Sequence, residues 1–255
     1  MSTDPDWSGW PVGYDRLILA ETDSTLNEAE RRFDALPGPC WILAHRQTAG
    51  RARRGRAWVA PQGMLAATLV LPVEDSPDRV ALRSFVAALA LHDAFVGVTG
   101  RAEPFALKWP NDVLLNGGKV AGILLETIQR QGRVAGLSIG IGVNLQQAPA
   151  AAEVEASALP PVSLLSETGA SVTPEDLLAA LAPAFAAHEH SLQTYGFGPV
   201  RQAWLDRAAR LGQQITARLG ETSLTGRFDT VDEAGRLILA APDRTHAIAA
   251  ADIFF

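Results

Sequence analysis

Lysine and cysteine are scarce in this chain of 255 residues. Of its 22 basic residues only Lys108 and Lys119 are lysines, and the others are arginines. The single cysteine, Cys40, excludes an internal disulfide bond, which is typical of a reducing compartment. The sequence lacks a run of about 18 uncharged apolar residues and an initial secretory signal. The net charge of -6 disfavours general nucleic-acid binding. We expect a cytoplasmic protein that binds neither DNA nor membranes.

Both lysines flank one short segment that begins Lys108-Trp-Pro-Asn-Asp112 and ends at Lys119. Lysine in a chain that otherwise uses arginine indicates a site that needs a compact ammonium group rather than a planar guanidinium fork. Chance placement in an arginine-biased composition explains the lysines equally well. On this pattern alone both interpretations stay open.

Five arginines lie within eleven residues between His45 and Trp58. The segment has no hydrophobic periodicity, and Gly50 and Gly55 favour a loop over a helix. Guanidinium groups and glycine-rich backbone suit phosphate and carboxylate ligands. A solvated basic loop or a nucleic-acid contact is the alternative interpretation. The arginines are Arg46, Arg51, Arg53, Arg54 and Arg56.

Hydrophobic patterning predicts strands and helices in the first part of the chain. Short apolar runs predict three strands, and a helix with Asp23 or Ser24 as N-cap follows the first of them. An alanine-rich stretch predicts a helix that faces the core. An antiparallel meander then turns at residues 116–118 and 129–132. The predicted ranges are strands 16–20, 41–45 and 64–71, helix 79–96 and meander 105–145.

The pattern changes towards the end of the chain. Thr173 and Pro174 predict the start of a helix, as N-cap and first helical residue, and a further helix is predicted at residues 199–211. From residue 213 onward, short alternating strands separated by turns predict a small barrel. The length fits one large domain with a small appended one.

Five motifs follow one another in a specific order. They are Asp23-Ser-Thr25, Gln47-x-x-Gly-Arg-x-Arg-Arg-Gly-Arg56, Lys108-Trp-Pro-Asn-Asp112, Gly118-Lys-Val-Ala-Gly-Ile-Leu124 and Gly140-x-Gly-x-Asn144. Together they resemble the biotin protein ligases, from about residue 16 to residue 255. The resemblance implies an α+β fold. Its mixed, largely antiparallel sheet with helices would occupy residues 1–208, and a small SH3-like β-barrel would occupy residues 209–255.

The resemblance also implies a two-step activity. The biotin carboxylate attacks the α-phosphate of ATP to give biotinyl-5′-adenylate and pyrophosphate. A lysine of a biotin carboxyl carrier protein domain then takes the biotinyl group and releases AMP. The implied ligands are biotin, ATP and Mg²⁺, and a homodimer is left open. Both steps concentrate negative charge, which preorganised cations would stabilise.

Specific residues carry the implied roles. Lys119, Arg51 and Arg53 would be catalytic, and the segment from Gly50 to Trp58 would close over biotin and the adenylate. The residues implied to bind biotin are Ser24, Thr25, Gln47, Arg51, Arg53, Lys119, Gly122, Gly140 and Gly142. Those implied to bind ATP or the adenylate are Arg51, Arg53, Arg54, Arg56, Trp58, Asn111, Asp112 and Asn144. Asp112 would also hold the metal ion, since Mg²⁺ prefers carboxylate and phosphate oxygens.

The chain departs from the family pattern at several places. Ala52 stands where a glycine is usual and would be strained if that position needs positive φ. Leu26 interrupts the usual Asp-Ser-Thr-Asn motif, and the glycine-rich ending is missing. Too few residues precede the first strand for the DNA-binding domain of some relatives. A lipoate or octanoyl ligase, a non-catalytic biotin binder and a catalytically dead relative are the alternatives.

Two local patterns allow more than one interpretation. In a regular hairpin that turns at residues 116–118, Asp112 and Lys119 would lie about 10 Å apart at about 3.3 Å per residue, so direct contact would need a bend. Gly136, Gly140 and Gly142 alternate along one predicted strand. Glycine there marks either the close approach of a ligand or a tight contact between sheet and helix.

Overall fold

The computed structural model describes residues 5–52, 55, 58, 61–150, 154 and 159–255. Arg53, Arg54 and Arg56, which the sequence predicts to be site residues, lie outside the described residues. The fold consists of a seven-stranded sheet with helices, followed by a five-stranded sheet at the end of the chain.

The seven-stranded sheet is mixed and largely antiparallel, as predicted. Its strand order is β1-β2-β3-β7-β6-β5-β4, and only β1 and β2 pair in parallel. The long hairpin of β6 and β7 lies near the middle of the sheet. The strands are β1 Asp15–Thr22, β2 Cys40–Gln47, β3 Leu65–Pro72, β4 Phe105–Lys108, β5 Asp112–Leu115, β6 Gly118–Arg130 and β7 Arg133–Val143.

The helices cover the sheet unequally. Alternate residues of β7, from Leu137 to Val143, are buried in one core with residues of α3 and α5. The opposite face of β7 carries the glycines, and α1 packs there. The helices are α1 Thr25–Arg32, α2 Pro77–Ala81, α3 Arg83–Thr99, α4 Leu164–Thr168, α5 Pro174–Tyr195 and α6 Phe197–Leu205, with a 3-10 turn at Phe33–Ala35.

Several predicted boundaries hold and two are wrong. Thr173 caps α5, and Pro174 begins the helix. The Thr173 hydroxyl accepts a hydrogen bond from the backbone N–H of Asp176, and the Asp176 carboxylate accepts one from the backbone N–H of Thr173. The helix predicted at 79–96 is divided at Leu82 into α2 and α3. The helix predicted at 199–211 ends at Leu205, because the next residues turn to pair with β4. The stretch Pro77–Thr99 is long and apolar enough to cross a membrane, but 72% of its apolar 18-residue window is buried inside the protein, as in a core helix.

The C-terminal sheet is antiparallel, with β11 and β12 as its edges. This arrangement confirms the predicted small β domain of the fold class. The sheet packs on the larger one, and the indole N–H of Trp109 donates to the carbonyl of Gly235 at 3.1 Å. Its strands are β8 Gln214–Leu219, β9 Thr222–Val231, β10 Leu237–Ala240, β11 Thr245–Ile248 and β12 Asp252–Phe254.

Candidate active site

A cavity of about 160 Å³ lies where the start of α1, the end of β2, the β5–β6 hairpin and β12 come together. Most of the predicted site residues within the described part of the chain line it, although they are far apart in sequence. These residues are Ser24, Thr25, Gln47, Arg51, Trp58, Asn111, Asp112, Lys119, Gly122, Gly140 and Gly142. The fold therefore brings described residues from all five motifs around one space.

One end of the cavity is polar and uncharged. The carbonyl oxygen of the Gln47 side chain accepts hydrogen bonds from the backbone N–H of Thr25 at 2.8 Å and from its hydroxyl at 3.1 Å. Gln47 thus ties the end of β2 to the first turn of α1. Ser24 occupies the N-cap position, but its side chain makes no capping bond. Its buried hydroxyl has no hydrogen-bond partner among the residues that the structure describes, so it can serve a ligand.

Asp23 fixes the backbone that presents Ser24. Its carboxylate accepts from the backbone N–H of Ser24 at 2.8 Å, from the Asn27 side chain at 2.8 Å and from Arg31 at 2.7 Å. The Arg31 guanidinium holds the pKa of the Asp23 carboxyl well below its usual range, and Asn27 adds to this effect. The first motif therefore has a supporting residue, Asp23, and ligand-facing residues, Ser24 and Thr25.

A second part of the cavity wall is cationic. The Lys119 ammonium lies 2.7 Å from one carboxylate oxygen of Asp112, and the Lys108 ammonium lies 3.5 Å from the other. The side chains of Lys108 and Asp112 are only 12% and 13% exposed, whereas that of Lys119 is 31% exposed. Two positive charges share one negative charge here, so the group carries a net positive charge beside the cavity.

Asp112 and Lys119 make direct contact within an irregular hairpin. The pairing register of β5 and β6 shifts between Val113 and Leu114, so that Asp112 faces Gly122 while Leu114 faces Lys119. A bulge of this kind re-aims side chains. Lys119 lies three residues from Gly122, about 10 Å along the strand at about 3.3 Å per residue. The two side chains span this offset and meet at 2.7 Å.

The glycines in the cavity wall make room for side chains of this protein. A Cβ atom at Gly142 would lie 2.7–2.9 Å from atoms of the Trp58 indole, and one at Gly122 would lie 3.1 Å from it. A Cβ atom at Gly140 would lie 3.0 Å from Leu26, and one at Gly136 would meet Phe33. Trp58 and Leu26 thus pack against glycines of the cavity wall. At Gly136 and Gly140 the glycine allows the sheet to approach the α1 region closely.

Arg51 reaches the cavity from the arginine-rich segment. One guanidinium nitrogen of Arg51 donates to the Glu126 carboxylate on β6 at 2.8 Å. The backbone N–H of Trp58 donates to the carbonyl of Gly50 at 3.0 Å, which joins the two ends of the segment. Ala52 also lines the cavity and does not have positive φ, so alanine is not strained there.

Asn144, an expected adenine contact, does not line the cavity. Its side-chain N–H₂ donates to the carbonyl of Val162 at 3.1 Å, and its own backbone carbonyl accepts from Leu164. The side-chain oxygen is buried without a partner among the described residues. In this structure Asn144 fastens the segment before α4 to the end of β7.

Sequence reasoning missed the contribution of the C-terminal sheet. Residues 251–254, at the beginning and along β12, form part of the cavity wall. The Phe255 ring lies below the ammonium of Lys108 at 5.9 Å and the guanidinium of Arg210 at 4.9 Å. The missing glycine-rich ending had left contacts from this domain in doubt. No motif marks these residues, since their position depends on how the two sheets pack.

The carboxylates that line the cavity are Asp112 and Asp252, and both face cations. Asp252 lies 3.3 Å from Arg218, while Asp112 lies between the two lysines. No group of three or more His, Cys, Asp or Glu side chains that could hold a metal occurs in the described part of the chain. This donor set fits Mg²⁺ that brings most of its ligands with it as nucleotide phosphates and water.

Comparisons with known proteins agree with this geometry. The profile of the Biotin/lipoate A/B protein ligase family matches residues 18–144, and that of the Biotin protein ligase C terminal domain matches residues 211–255. The chain is 53% identical over 238 residues to the biotin–acetyl-CoA-carboxylase ligase of Paracoccus denitrificans, a match that covers 93% of this chain and 99% of that protein. It is 28% identical over 237 residues to the bifunctional ligase/repressor BirA of Bacillus subtilis, which covers 92% of this chain and 71% of that protein.

The likeness extends to solved structures. The biotin protein ligase from Aquifex aeolicus, solved in complex with biotin and ATP, superposes with a TM-score of 0.79. The superposition covers 94% of this chain and 97% of that chain at 24% identity, which establishes a shared fold.

Proposed function

Because this chain belongs to the biotin protein ligase family, we propose that it is an ATP-dependent enzyme that joins biotin to a lysine of a carboxylase carrier domain. The observation that carries this proposal is the cavity itself. Its wall combines an uncharged hydrogen-bonding group, Ser24 with Thr25 and Gln47, with a positively charged group, Lys108 and Lys119 around Asp112. Biotin has the matching shape: a polar, uncharged ring at one end and a carboxylate at the other.

In the first step a biotin carboxylate oxygen forms a bond to the α-phosphorus of ATP, and the bond from that phosphorus to the β-bridging oxygen breaks. Pyrophosphate leaves and biotinyl-5′-adenylate remains. The Lys119 ammonium reduces the repulsion between the two anions and stabilises the charge that develops on the α-phosphate. Asp112 holds this ammonium from the side through the 2.7 Å contact.

In the second step the amine of the carrier lysine attacks the acyl carbon of the adenylate. An amide bond forms, the bond from the acyl carbon to the phosphate oxygen breaks, and AMP leaves with its electron pair. The attacking nitrogen loses a proton. Exclusion of water protects the mixed anhydride before this attack, and Trp58 over Gly122 and Gly142 contributes an apolar cover.

We propose individual roles for the residues of the cavity. Ser24, Thr25 and Gln47 bind the biotin ring, and Arg51 with Lys119 meets the carboxylate and phosphates. Asn111 and Asp112 would contact the nucleotide, and Asp112 would hold the Mg²⁺ that accompanies it. Arg53, Arg54 and Arg56 are assigned from sequence alone, since they lie outside the described residues. Asn144 contributes indirectly by holding the segment that ends at Val162.

We also propose the division of the chain into a catalytic domain of residues 1–208 and a C-terminal domain of residues 209–255, and a cytoplasmic location. Support for the division comes from the separate C-terminal sheet and from the profile match to residues 211–255. The carrier would be the biotin carboxyl carrier domain of acetyl-CoA carboxylase, because the Paracoccus relative is named for that enzyme.

Pyrophosphate release tests the proposal. The purified chain should release pyrophosphate when biotin and ATP are both present and should transfer labelled biotin to a carboxyl carrier domain. Lipoate or octanoate in place of biotin is the control. Transfer of lipoyl groups without biotinyl groups would establish the alternative activity, and an absence of pyrophosphate release would indicate a non-catalytic biotin binder.

A further inference from the structure

Glu126 contacts a cavity residue without lining the cavity itself. It lies on β6 two residues beyond Leu124 and four beyond Gly122, on the same face of the strand, and both of those residues line the cavity. Its carboxylate accepts a hydrogen bond from Nη2 of Arg51 at 2.8 Å. Glu126 therefore stands at the rim, about 13 Å along the strand from Gly122 at about 3.3 Å per residue.

The arginine-rich segment is thus attached to β6 at two separate points. Arg51 is held at Glu126, and the Trp58 indole lies against Gly122 and Gly142. The hydrogen bond from Trp58 to Gly50 joins the ends of the segment between these points. The first attachment is an ion pair and the second is apolar, so a single charge-removing substitution can loosen the first alone.

The geometry of the pair leaves most of the guanidinium for other partners. Arginine has five N–H donors in a planar fork, and Glu126 is bound by Nη2. No other partner of Arg51 occurs among the residues that the structure describes. Because Arg51 also lines the cavity, its remaining donors are available to an anion bound there.

We propose that Glu126 is a positioning residue for Arg51, fixing the guanidinium so that its other N–H groups meet the biotin carboxylate or the phosphates. This inference rests on the proposed function of the cavity. A flexible arginine loses rotamer freedom when it binds an anion, and a carboxylate that has already ordered the side chain lowers that loss. The side chains of Arg51 and Glu126 are 40% and 37% exposed. Solvent therefore weakens the attraction by which Glu126 competes with the substrate for Arg51, and the main effect of Glu126 is to orient the guanidinium.

The test is Glu126→Gln, which keeps the size of the side chain and removes its charge. We expect the KM for biotin in pyrophosphate release to rise about two- to fivefold, the size of effect that an exposed ion pair supports. The kcat at saturating biotin and ATP should change less than KM. Leakage of biotinyl-adenylate in the absence of carrier should rise by a similar factor, because Arg51 holds it less well.

Glu21→Gln is the matched control. Glu21 forms an exposed ion pair with Arg46 at 2.6 Å, which links β1 to β2 and does not line the cavity. This variant loses an ion pair of the same type, so a purely structural effect would appear in both variants. Thermal unfolding should shift by a similar small amount in each, while the KM for biotin should rise only in Glu126→Gln.

A double-variant cycle shows whether Glu126 acts through Arg51. In the Arg51→Gln background, adding Glu126→Gln should leave the KM unchanged, since the residue that it positions is gone. Three results would overturn the proposal. The KM of Glu126→Gln could stay at the wild-type value, or it could fall because Glu126 competes with substrate. Glu126→Gln could also raise the KM equally in the Arg51→Gln background. If the unmodified chain released no pyrophosphate, the proposed function would fail first and independently.

Discussion

The charged clusters at the cavity and those elsewhere in the described part of the molecule use different cations. At the cavity one carboxylate, that of Asp112, is shared by two ammonium groups. At three other places one guanidinium is shared by two carboxylates. These places are Arg31 with Asp23 and Glu28, Arg130 with Glu30 and Asp34, and Arg83 with Asp75 and Glu189.

This contrast matches the different shapes of the two cations. A planar guanidinium fork bridges two carboxylates and ties elements together, as Arg83 does between α3 and α5. A compact ammonium fits in the narrow space beside Gly122, where a Cβ atom would lie 3.3 Å from the Lys119 nitrogen. The cavity is left with excess positive charge in a chain of net charge -6, which is what an anionic substrate pair requires.

Substitution of Lys119 should have the largest effect on activity, because it removes the ammonium group that distinguishes the cavity. Lys119→Ala should reduce kcat/KM for biotin-dependent pyrophosphate release by about 100- to 1000-fold, the usual loss when one preorganised donor to a developing anion is removed. Lys119→Arg should reduce kcat/KM nearly as much, because the larger guanidinium group does not fit between Asp112, Trp58 and Gly122. Thermal unfolding of both variants should remain close to that of the parent. Near-normal rates in the arginine variant would show that charge alone suffices.

Removal of the shared carboxylate should have the next largest effect. Asp112→Asn leaves two ammonium groups side by side without their common partner, so Lys119 loses its fixed position. We expect kcat/KM to fall about tenfold and the free energy of unfolding to fall by about 1–3 kcal/mol, as for an unsatisfied buried group. Asp243→Asn, at an exposed carboxylate beside His246, serves as the control for urea unfolding. Equal behaviour of the two variants would argue against the central role of Asp112.

A smaller effect is expected from crowding the wall of the cavity. Gly142→Ala should displace the Trp58 indole, because the new methyl group would lie 2.7–2.9 Å from it. We expect about a tenfold rise in the Kd for biotin, measured by calorimetry, and a loss of about 1–3 kcal/mol in stability from overpacking. Gly97→Ala in α3 is the matched control, since nothing lies within 4 Å of its new methyl group. If neither alanine changed the Kd or the stability, the Trp58 indole would not be packed against Gly142.

The arginine-centred groups should respond to acid. The pKa of Asp23 is depressed in the folded state by Arg31, so this carboxylate adds stability above its ordinary value of 3.8 and loses that contribution as the pH falls through the lower folded value. Asp23→Asn should lower stability by less than about 1 kcal/mol at neutral pH, because the pair is well exposed. Urea unfolding of both proteins at several pH values should show this difference shrinking below pH 3.8. A stability difference between the two proteins that grew as the pH fell would contradict the depressed pKa of Asp23.

The smallest effect on activity should come from placing lysines outside the cavity. Replacing the exposed Arg79, Arg227 and Arg244 by lysine should change pyrophosphate release by no more than about twofold. The new amines should however become acceptors for biotinyl-adenylate when no carrier is present. Mass spectrometry should detect biotin on them and none on the parent surface. Unlabelled lysines would leave codon usage as the explanation for the arginine bias.

Local chemistry made much of this fold predictable. Asn116 and Gly117 both have positive φ, as the turn at 116–118 requires, and Gln131 with Gly132 forms the next turn in the same way. Thr173 and Pro174 predicted the start of α5 correctly for the same local reason. These features depend on a few neighbouring residues, so the sequence contains them directly.

The details of the cavity depended on tertiary contacts. The hairpin that carries Asp112 and Lys119 shifts register between Val113 and Leu114, and no residue type in the hairpin predicts this shift. The contribution of residues 251–254 depends on packing between two sheets. Gly140 and Gly142 were recognised as places of close approach, but Leu26 and Trp58, which approach them, come from distant segments. The sequence therefore predicted which residues line the cavity, and the structure showed which side chains they contact.

A crystal structure with biotin and a non-hydrolysable ATP analogue tests the central claim most directly. The account predicts the biotin ring at Ser24, Thr25 and Gln47, with its carboxylate and the α-phosphate both within contact of the Lys119 ammonium. Biotin bound outside this cavity, or a carboxylate directed away from Lys119 and Asp112, would contradict it.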